Sequence, residues 1–426
     1  MTLPASPAPP FFGWDVVAAT FLLAAFGWGV GFYGPPVFLY AVVARTGWPV
    51  PMVSAAVTMH FLIGAVVVAN LPRLYRRFGV PVVTVLGAVL LALGIAGWAL
   101  AVEPWQLLAA ALASGAGWVA MGAAAVNALI APWFILRRPA ALGMAYNGAS
   151  LGGVIFSPRW IALIAGIGFL PAALAVGGVM VAVVATLSVL VFRHTPESMG
   201  QRPDGVEGAD PRPRAPRGGS PARRRFFADG KFVTLAAGMM LGLFAQIGLL
   251  AHLFSLLVPV LGEGMAGLAM GGATLAAILG RSVVGWMMPV SADRRLVACA
   301  SYGVQVAGSL LFLLAAGEGG AWLILGIALF GLGIGNATSL PPLIAQQGFT
   351  PAEVARVVPL IVAMGQAGHA FAPAAFGLLR GDGMIDGSGS ALLFACAAAI
   401  QLAAIGCFLA GRVGRPGRPQ PDATRP

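Results

Sequence analysis

Residues 193–230 read RHTPESMGQRPDGVEGADPRPRAPRGGSPARRRFFADG. Arg202, Arg212, Arg214, Arg217, Arg223, Arg224 and Arg225 are spaced here by Pro and Gly, with no apolar period of either helix or strand. Such a stretch cannot bury a core and reads as a disordered linker. Its surroundings are the opposite. Six apolar runs precede it, at 13–44, 50–71, 80–101, 105–131, 139–165 and 168–192. Six follow, at 231–261, 265–289, 296–316, 320–345, 353–379 and 388–411. A helix crosses a bilayer in about 20 apolar residues. Barrel strands would be about ten residues long and alternating, which these runs are not. The predicted fold is an all-α polytopic membrane protein with twelve transmembrane helices in two pseudo-symmetric six-helix bundles. The boundaries are 1–192, a linker at 193–230, 231–412, and a tail at 413–426.

Composition agrees. Of 426 residues, 59% are hydrophobic and 9% charged, and mean hydropathy is +0.90. Soluble domains carry about 25% charged residues, so a soluble enzyme is excluded. The 59 Gly and 32 Pro suit membrane helices, where both are enriched. A net charge of +11 would suggest nucleic acid only on a soluble fold. Here it tracks topology. With both termini cytoplasmic, 21 of the 25 basic residues fall on cytoplasmic segments, including Arg73, Arg76, Arg77, Arg137, Arg138, Arg294 and Arg295. Arg45 and Arg380 fall opposite, and Arg159 and Arg281 within spans. That is the positive-inside pattern of a multi-pass plasma (inner) membrane protein. Nearly all the charge is Arg, which with abundant Ala, Gly and Pro points to a GC-rich bacterial genome. Cys299, Cys396 and Cys407 form no metal or redox spacing. No charged n-region precedes the first span, so no secretory signal is expected. No cofactor motif appears in a context that would confirm it.

The two sets of spans echo each other. A basic cluster ending in Arg76-Arg77 follows span 2, and Arg294-Arg295 follows span 8. Gly115-x-Gly117 in span 4 is repeated as Gly331-x-Gly333-x-Gly335 in span 10. Parallel six-helix halves are the plan of one large transporter class.

On these features the chain resembles the major facilitator superfamily. Within it, four motifs resemble the monocarboxylate-transporter and oxalate/formate-antiporter branch. The longest is Trp133-Phe134-x-x-Arg137-Arg138-x-x-Ala141-x-Gly143-x-Ala145-x-x-Gly148-x-x-x-Gly152, ending in Pro158. The others are Gly13-Trp14-x-Val16-Val17, Ala251-His252-Leu253 and Gly280-Arg281-x-x-x-Gly285. The resemblance implies transport by alternating access, with the Arg281 position holding a carboxylate substrate. There are departures. Arg76 stands before Arg77-Phe78-Gly79 where the superfamily has an Asp, and Pro289 stands where the second half would have one, with Asp293 four residues on. The gating loops are therefore assigned to Arg76, Arg77, Asp293 and Arg294 without the usual ion pair. The Asp expected one turn before Arg281 is Ala277, and no helix 11 Lys is present.

The residues themselves give a candidate site. Arg281 lies about 22 Å along span 8 at 1.5 Å per residue. An intramembrane charge is a functional hypothesis by default, and a guanidinium can grip a carboxylate through two parallel hydrogen bonds. The bland alternative is snorkelling or a grip on neighbouring carbonyls. His252, and His369 with Gln366 at i, i+3, could assist it. Trp28, Tyr33, Asn127, Tyr146 and Asn336 could line a cavity, although each alone is more often packing. Tyr33 precedes Pro35-Pro36, which must bend or break helix 1. Of fourteen acids only Asp15 lies within a span, the rest being in loops or at helix ends. If protons are coupled, His252, His369 or His60 would carry them; each could equally be an interhelical packing bond. The expected function is secondary transport of a small organic anion, a mono- or dicarboxylate, by proton symport or anion exchange, in a monomer needing only substrate, bilayer and protons. The rival reading is an exporter of drugs or other lipophilic toxic compounds. A membrane enzyme is disfavoured because short loops leave no room for a catalytic domain.

Overall fold

A computed structural model of the protein describes residues 10–205, 226–289, 291–315, 321–380 and 388–412. The described secondary structure is helical throughout, and among the described residues there are twelve membrane-length units. They are α1 (Gly13–Thr46), α2 (Val50–Phe78), α3 (Val80–Leu100), α4 (Pro104–Ile130), α5 (Arg138–Ile167) and α6 (Phe169–Phe192). The second set is α7 (230–261), α8 (263–287), α9 (Arg294–Leu314), α10 (Ala321–Ile334 continued by Leu340–Gly348), α11 (Pro351–Ala370 continued by Ala372–Arg380) and α12 (Ser388–Ala410).

Local chemistry sets the joints. Helix α1 is interrupted at Phe32–Tyr33 and resumes at Gly34 with prolines in its first turn. Helices α7 and α8 are one helical run but for Gly262, whose φ of 74° breaks it; glycine takes that angle without steric cost. Helices α4 and α11 begin with capping boxes, Glu103 with Gln106 and Thr350 with Glu353, which satisfy otherwise orphaned N–H groups. The break in α10 at 335–339 is one the sequence reading had run straight through.

The repeated glycines do the same work in both halves. A side chain at Gly115 would meet the His60 carbonyl of α2, and one at Gly117 would meet the α3 backbone at Gly87 and Leu91. Correspondingly, Gly331 faces the α8 backbone at Ala273, and Gly333 faces α9 at Ser301 and Gln305. Each central helix is thus clamped between two others at backbone distance, the packing that replaces hydrophobic burial in lipid. Gly148 and Gly152 of α5 press on the Phe21 and Ala25 carbonyls of α1 in the same way.

The halves meet on the side away from the linker. Ala374 N of α11 donates to Thr58 Oγ1 of α2 at 2.9 Å, and Gly377 abuts Ser54. Tyr40 of α1 donates to Glu263 of α8 at 3.0 Å, and its ring meets Phe254 of α7 edge-on at 5.2 Å. Gly267 and Gly271 of α8 pack on Val154, Pro158 and Ile161 of α5. Phe32, Pro36, Val57, Phe61, Ile247, Leu250 and Ala251 close the middle around a void of about 10 Å³.

The linker departs from the expectation of a wholly disordered tether. Residues 193–205 are docked on the first half. Gln201 accepts from Phe12 N at 2.9 Å and donates to the Pro10 carbonyl at 3.0 Å. The Asp204 carboxylate accepts from the backbone N–H groups of Ile135, Leu136 and Arg137 at 2.9, 2.6 and 3.1 Å. Asp204 holds a φ of 60° and exposes 7% of its surface. Burial alone would raise its pKa; the three N–H donors outweigh it, aided by the Arg137 charge, and the carboxyl lies below its ordinary value. The Arg-rich stretch 206–225 and the tail from 413 lie outside the described residues.

Candidate functional site

Arg281 is held where α8 crosses α10. Gly280 and Gly335 let the two backbones touch, and the break after Ile334 frees carbonyls at the crossing. Arg281 Nε donates to Gly335 O at 2.8 Å, and Asn336 Nδ2 donates back to Gly280 O at 3.4 Å. The two terminal nitrogens of Arg281 have no hydrogen bond among the described residues, and the side chain is exposed. One guanidinium edge is therefore anchored while the fork stays free. Thr274 lies seven residues earlier on the same face of α8. Beside it sits the Tyr33 ring, lodged against Gly153 of α5 together with the Thr274 methyl. Helices α8 and α10 thus hold the cation, and α1 and α5 of the first half meet the same α8 two turns away at Thr274.

A second group forms within the first half. Asn127 Nδ2 of α4 donates to Tyr146 Oη of α5 at 2.8 Å, and the Tyr146 ring meets Trp28 of α1 edge-on at 6.0 Å. All three are half-buried.

The histidines are placed apart from Arg281. His252 is fully buried; its Nε2 donates to Pro373 O of α11 at 3.0 Å, and its Nδ1 has no partner. It joins α7 to α11. His60 bonds Ser114 Oγ and Gly31 O, each at 2.8 Å. His369 packs its ring against Phe61 at 6.1 Å, while Gln366 one turn earlier is exposed. No described contact joins the helix 11 pair to Arg281.

The gating residues are not paired across the halves in this state. Arg76 and Arg77 are exposed, with Arg77 over the Phe78 ring. Asp293 caps α9 and pairs with Arg412 at 2.8 Å. Burial would raise the Asp293 carboxyl; the Arg412 bond and the Arg295 and Leu296 N–H groups outweigh that and hold it below its ordinary value. Arg294 donates to Leu343 O at 2.6 Å. Both members of this loop are used inside the second half.

Several residues escaped the sequence reading. Thr274 looked like any apolar-run threonine. Gln246 of α7 is buried with its Oε1 unpartnered, and as a lone amide in an apolar run it was visible. Arg380 had been placed in the external loop. It is instead 5% exposed and donates to the Ser255 hydroxyl and carbonyl of α7.

Two six-helix bundles meeting around a central, partly free cation define a secondary-transporter architecture. The chain belongs to the Major Facilitator Superfamily, which residues 16–373 match. Among curated proteins it is similar to "MFS-type transporter 1" of Ophiocordyceps sp. (strain BCC 1869), 31% identical over 189 residues, 42% of this chain. The match spans 41% of that relative's length. Among solved structures it is similar to a bacterial homolog of the human lysosomal transporter Spinster in an inward-facing, occupied conformation. The TM-score is 0.65 at 15% identity, covering 95% of this chain and 97% of that one. It is also similar to the nucleoside transporter NupG, with a TM-score of 0.71 at 12% identity, covering 94% and 98%. At these identities the likeness shows the fold. The protein is a multi-pass membrane transporter, not an enzyme.

Proposed function

We propose that this transporter carries a small organic anion, a mono- or dicarboxylate, through a site centred on Arg281. The supporting observation is the arrangement of that side chain: Nε fixed on Gly335 O and both terminal nitrogens free among the described residues, on the helix that meets the first half two turns away. A carboxylate fits such a fork through two parallel hydrogen bonds. Two turns along α8, Thr274 and the Tyr33 ring pack together at Gly153. Membership of the monocarboxylate and oxalate/formate branch, suggested by the motifs quoted above, agrees with this chemistry. In this reading the linker side is cytoplasmic, the membrane is the bacterial plasma membrane, and the protein works as a monomer. The halves touch on the far side, so the conformation corresponds to one closed to the outside.

Coupling is by anion exchange or proton symport. The carboxylates of the described spans, Asp15, Glu263 and Glu353, lie at helix ends, so a proton route would run through His252 or His369, whose Nδ1 atoms have no partner among the described residues. The His60 nitrogens are both engaged. Export of lipophilic compounds is the second reading, favoured by the half-buried aromatic pair Trp28–Tyr146.

Counterflow into proteoliposomes tests the proposal. Labelled oxalate, formate and lactate should accumulate against the unlabelled acid inside. Arg281→Gln should weaken the interaction about 10- to 100-fold, the span expected for losing a charged hydrogen-bond donor. Counterflow of these acids that is unchanged in Arg281→Gln would refute the role given to this residue.

A further inference from the structure

Helix α1 contains a fault whose repair involves three other helices. The N–H groups of Phe32 and Tyr33 both donate to the Trp28 carbonyl, at 2.9 Å each. That arrangement skips the Gly29 carbonyl. The Gly31 carbonyl would normally be served by residue 35, but Pro35 has no N–H. Pro36 likewise cannot serve the Phe32 carbonyl, so three acceptors lose their helical donor inside the membrane, where no water can satisfy them. Side chains take the first two. Trp160 Nε1 of α5 donates to Gly29 O at 3.3 Å, and His60 Nε2 of α2 donates to Gly31 O at 2.8 Å.

The second bond fixes the state of His60. A carbonyl only accepts, so the hydrogen of the neutral ring sits on Nε2. Nδ1 then accepts from the Ser114 hydroxyl at 2.8 Å, which in turn accepts from Trp98 Nε1 at 3.2 Å. The ring stacks on Trp118 at 5.7 Å and 19°, and exposes 1% of its surface. Both nitrogens are committed to protein groups.

The two residues at the fault point to different places. Phe32 packs on Phe61 and Trp118 and lines the small void between the halves. Tyr33 turns the other way, to Gly153 and to Thr274 on the helix that carries Arg281. We propose that His60 is a positioning residue of the transport cycle. By supplying the donor that Pro35 lacks, it holds the fault so that Phe32 closes the far-side seal while Tyr33 is turned to Thr274 on the Arg281 helix. The Tyr33 half of this statement rests on the anion-binding reading. The seal half does not, and the test reads the seal.

The experiment uses the full chain in nanodiscs, with the three native cysteines replaced by alanine. Spin labels sit at Val102→Cys and Gly264→Cys, on the far-side ends of the two halves. The distance between them needs no substrate, so its outcome is independent of what is carried. Wild-type His60 should give one short, closed distance. His60→Gln should keep it, because an amide can donate to Gly31 O and accept from Ser114 while binding no proton. His60→Leu should add a second, longer distance and lower the melting temperature. In the double variant Pro35→Ala/His60→Leu, residue 35 regains an N–H for Gly31 O. Its melting temperature should recover in part, because Pro36 still leaves the Phe32 carbonyl unserved, while the longer distance persists because the repaired turn no longer aims Phe32 and Tyr33 as before. The proposal is overturned by a His60→Leu protein that melts as a folded protein with the closed distance alone. It is equally overturned by a double variant that recovers both readouts, or by His60→Gln showing the long distance.

Discussion

A guanidinium inside a bilayer needs partners, and Arg281 divides the task among its nitrogens. Nε is spent on Gly335 O, which fixes direction; the terminal pair is left for a ligand. Arg281→Lys would keep the charge but lose both the anchor and the fork. Its KM in carboxylate counterflow should rise about tenfold, roughly the effect of one charged hydrogen bond, with smaller loss than in Arg281→Gln. An equal loss in both would mean that geometry outweighs charge. Asp204 gives a pH prediction. Its carboxyl is lowered in the folded protein, so its docking energy is fully present above the ordinary value of 3.8 and is lost as pH falls through the lowered one. Hydrogen-exchange protection of the Ile135, Leu136 and Arg137 amides should fall over that acidic window. In Asp204→Asn it should be low even at neutral pH. Sequence alone singled out Arg281 because one charge in an apolar run is conspicuous. It missed Thr274 and the docked Asp204, because a threonine in a helix and an acid in a basic linker carry no sign of what they will touch.

The helices were legible by length and hydropathy, and the α1 break by Pro35-Pro36. The break in α10 was not. Gly335, Asn336 and Ser339 lie in a run otherwise apolar enough to continue, and only the crossing with α8 gives the freed carbonyls a use. The Gly-x-Gly repeat was visible as a pattern, but its geometry, one glycine per neighbouring helix, needed coordinates. That geometry predicts a sharp contrast. A side chain at Gly280 would meet the Leu332 carbonyl and one at Gly335 the Ala277 carbonyl, both immovable backbone. Gly280→Val should cost about 1–3 kcal/mol by overpacking and disturb Arg281, one residue away. Gly143→Ala, with nothing within 4 Å of the new methyl, should be neutral or stabilising by up to about 1 kcal/mol, because alanine favours the helix. Thermal melts of the two variants in one detergent would check the ranking.

At the scale of the molecule, two bundles joined by a linker must part on the far side to complete a cycle. Ser54 and Gly377 are in contact across that face. Thr58→Cys/Ala374→Cys, the pair whose side chain and backbone meet there at 2.9 Å, should cross-link under mild oxidation, stop counterflow, and recover on reduction. Retained counterflow in the fully cross-linked protein would show that α2 and α11 need not separate. Beside the Thr58–Ala374 and Tyr40–Glu263 bonds, seven apolar side chains close in on this side around about 10 Å³. A void of that size is at or below the room one water needs, and its walls offer water no polar partner. Water chains conduct protons, and a dewetted apolar constriction blocks ions as well. On the orientation proposed above, a closure that stays dry would also insulate the carrier electrically. A cell could express this protein abundantly without short-circuiting the ion gradient across the membrane in which it sits.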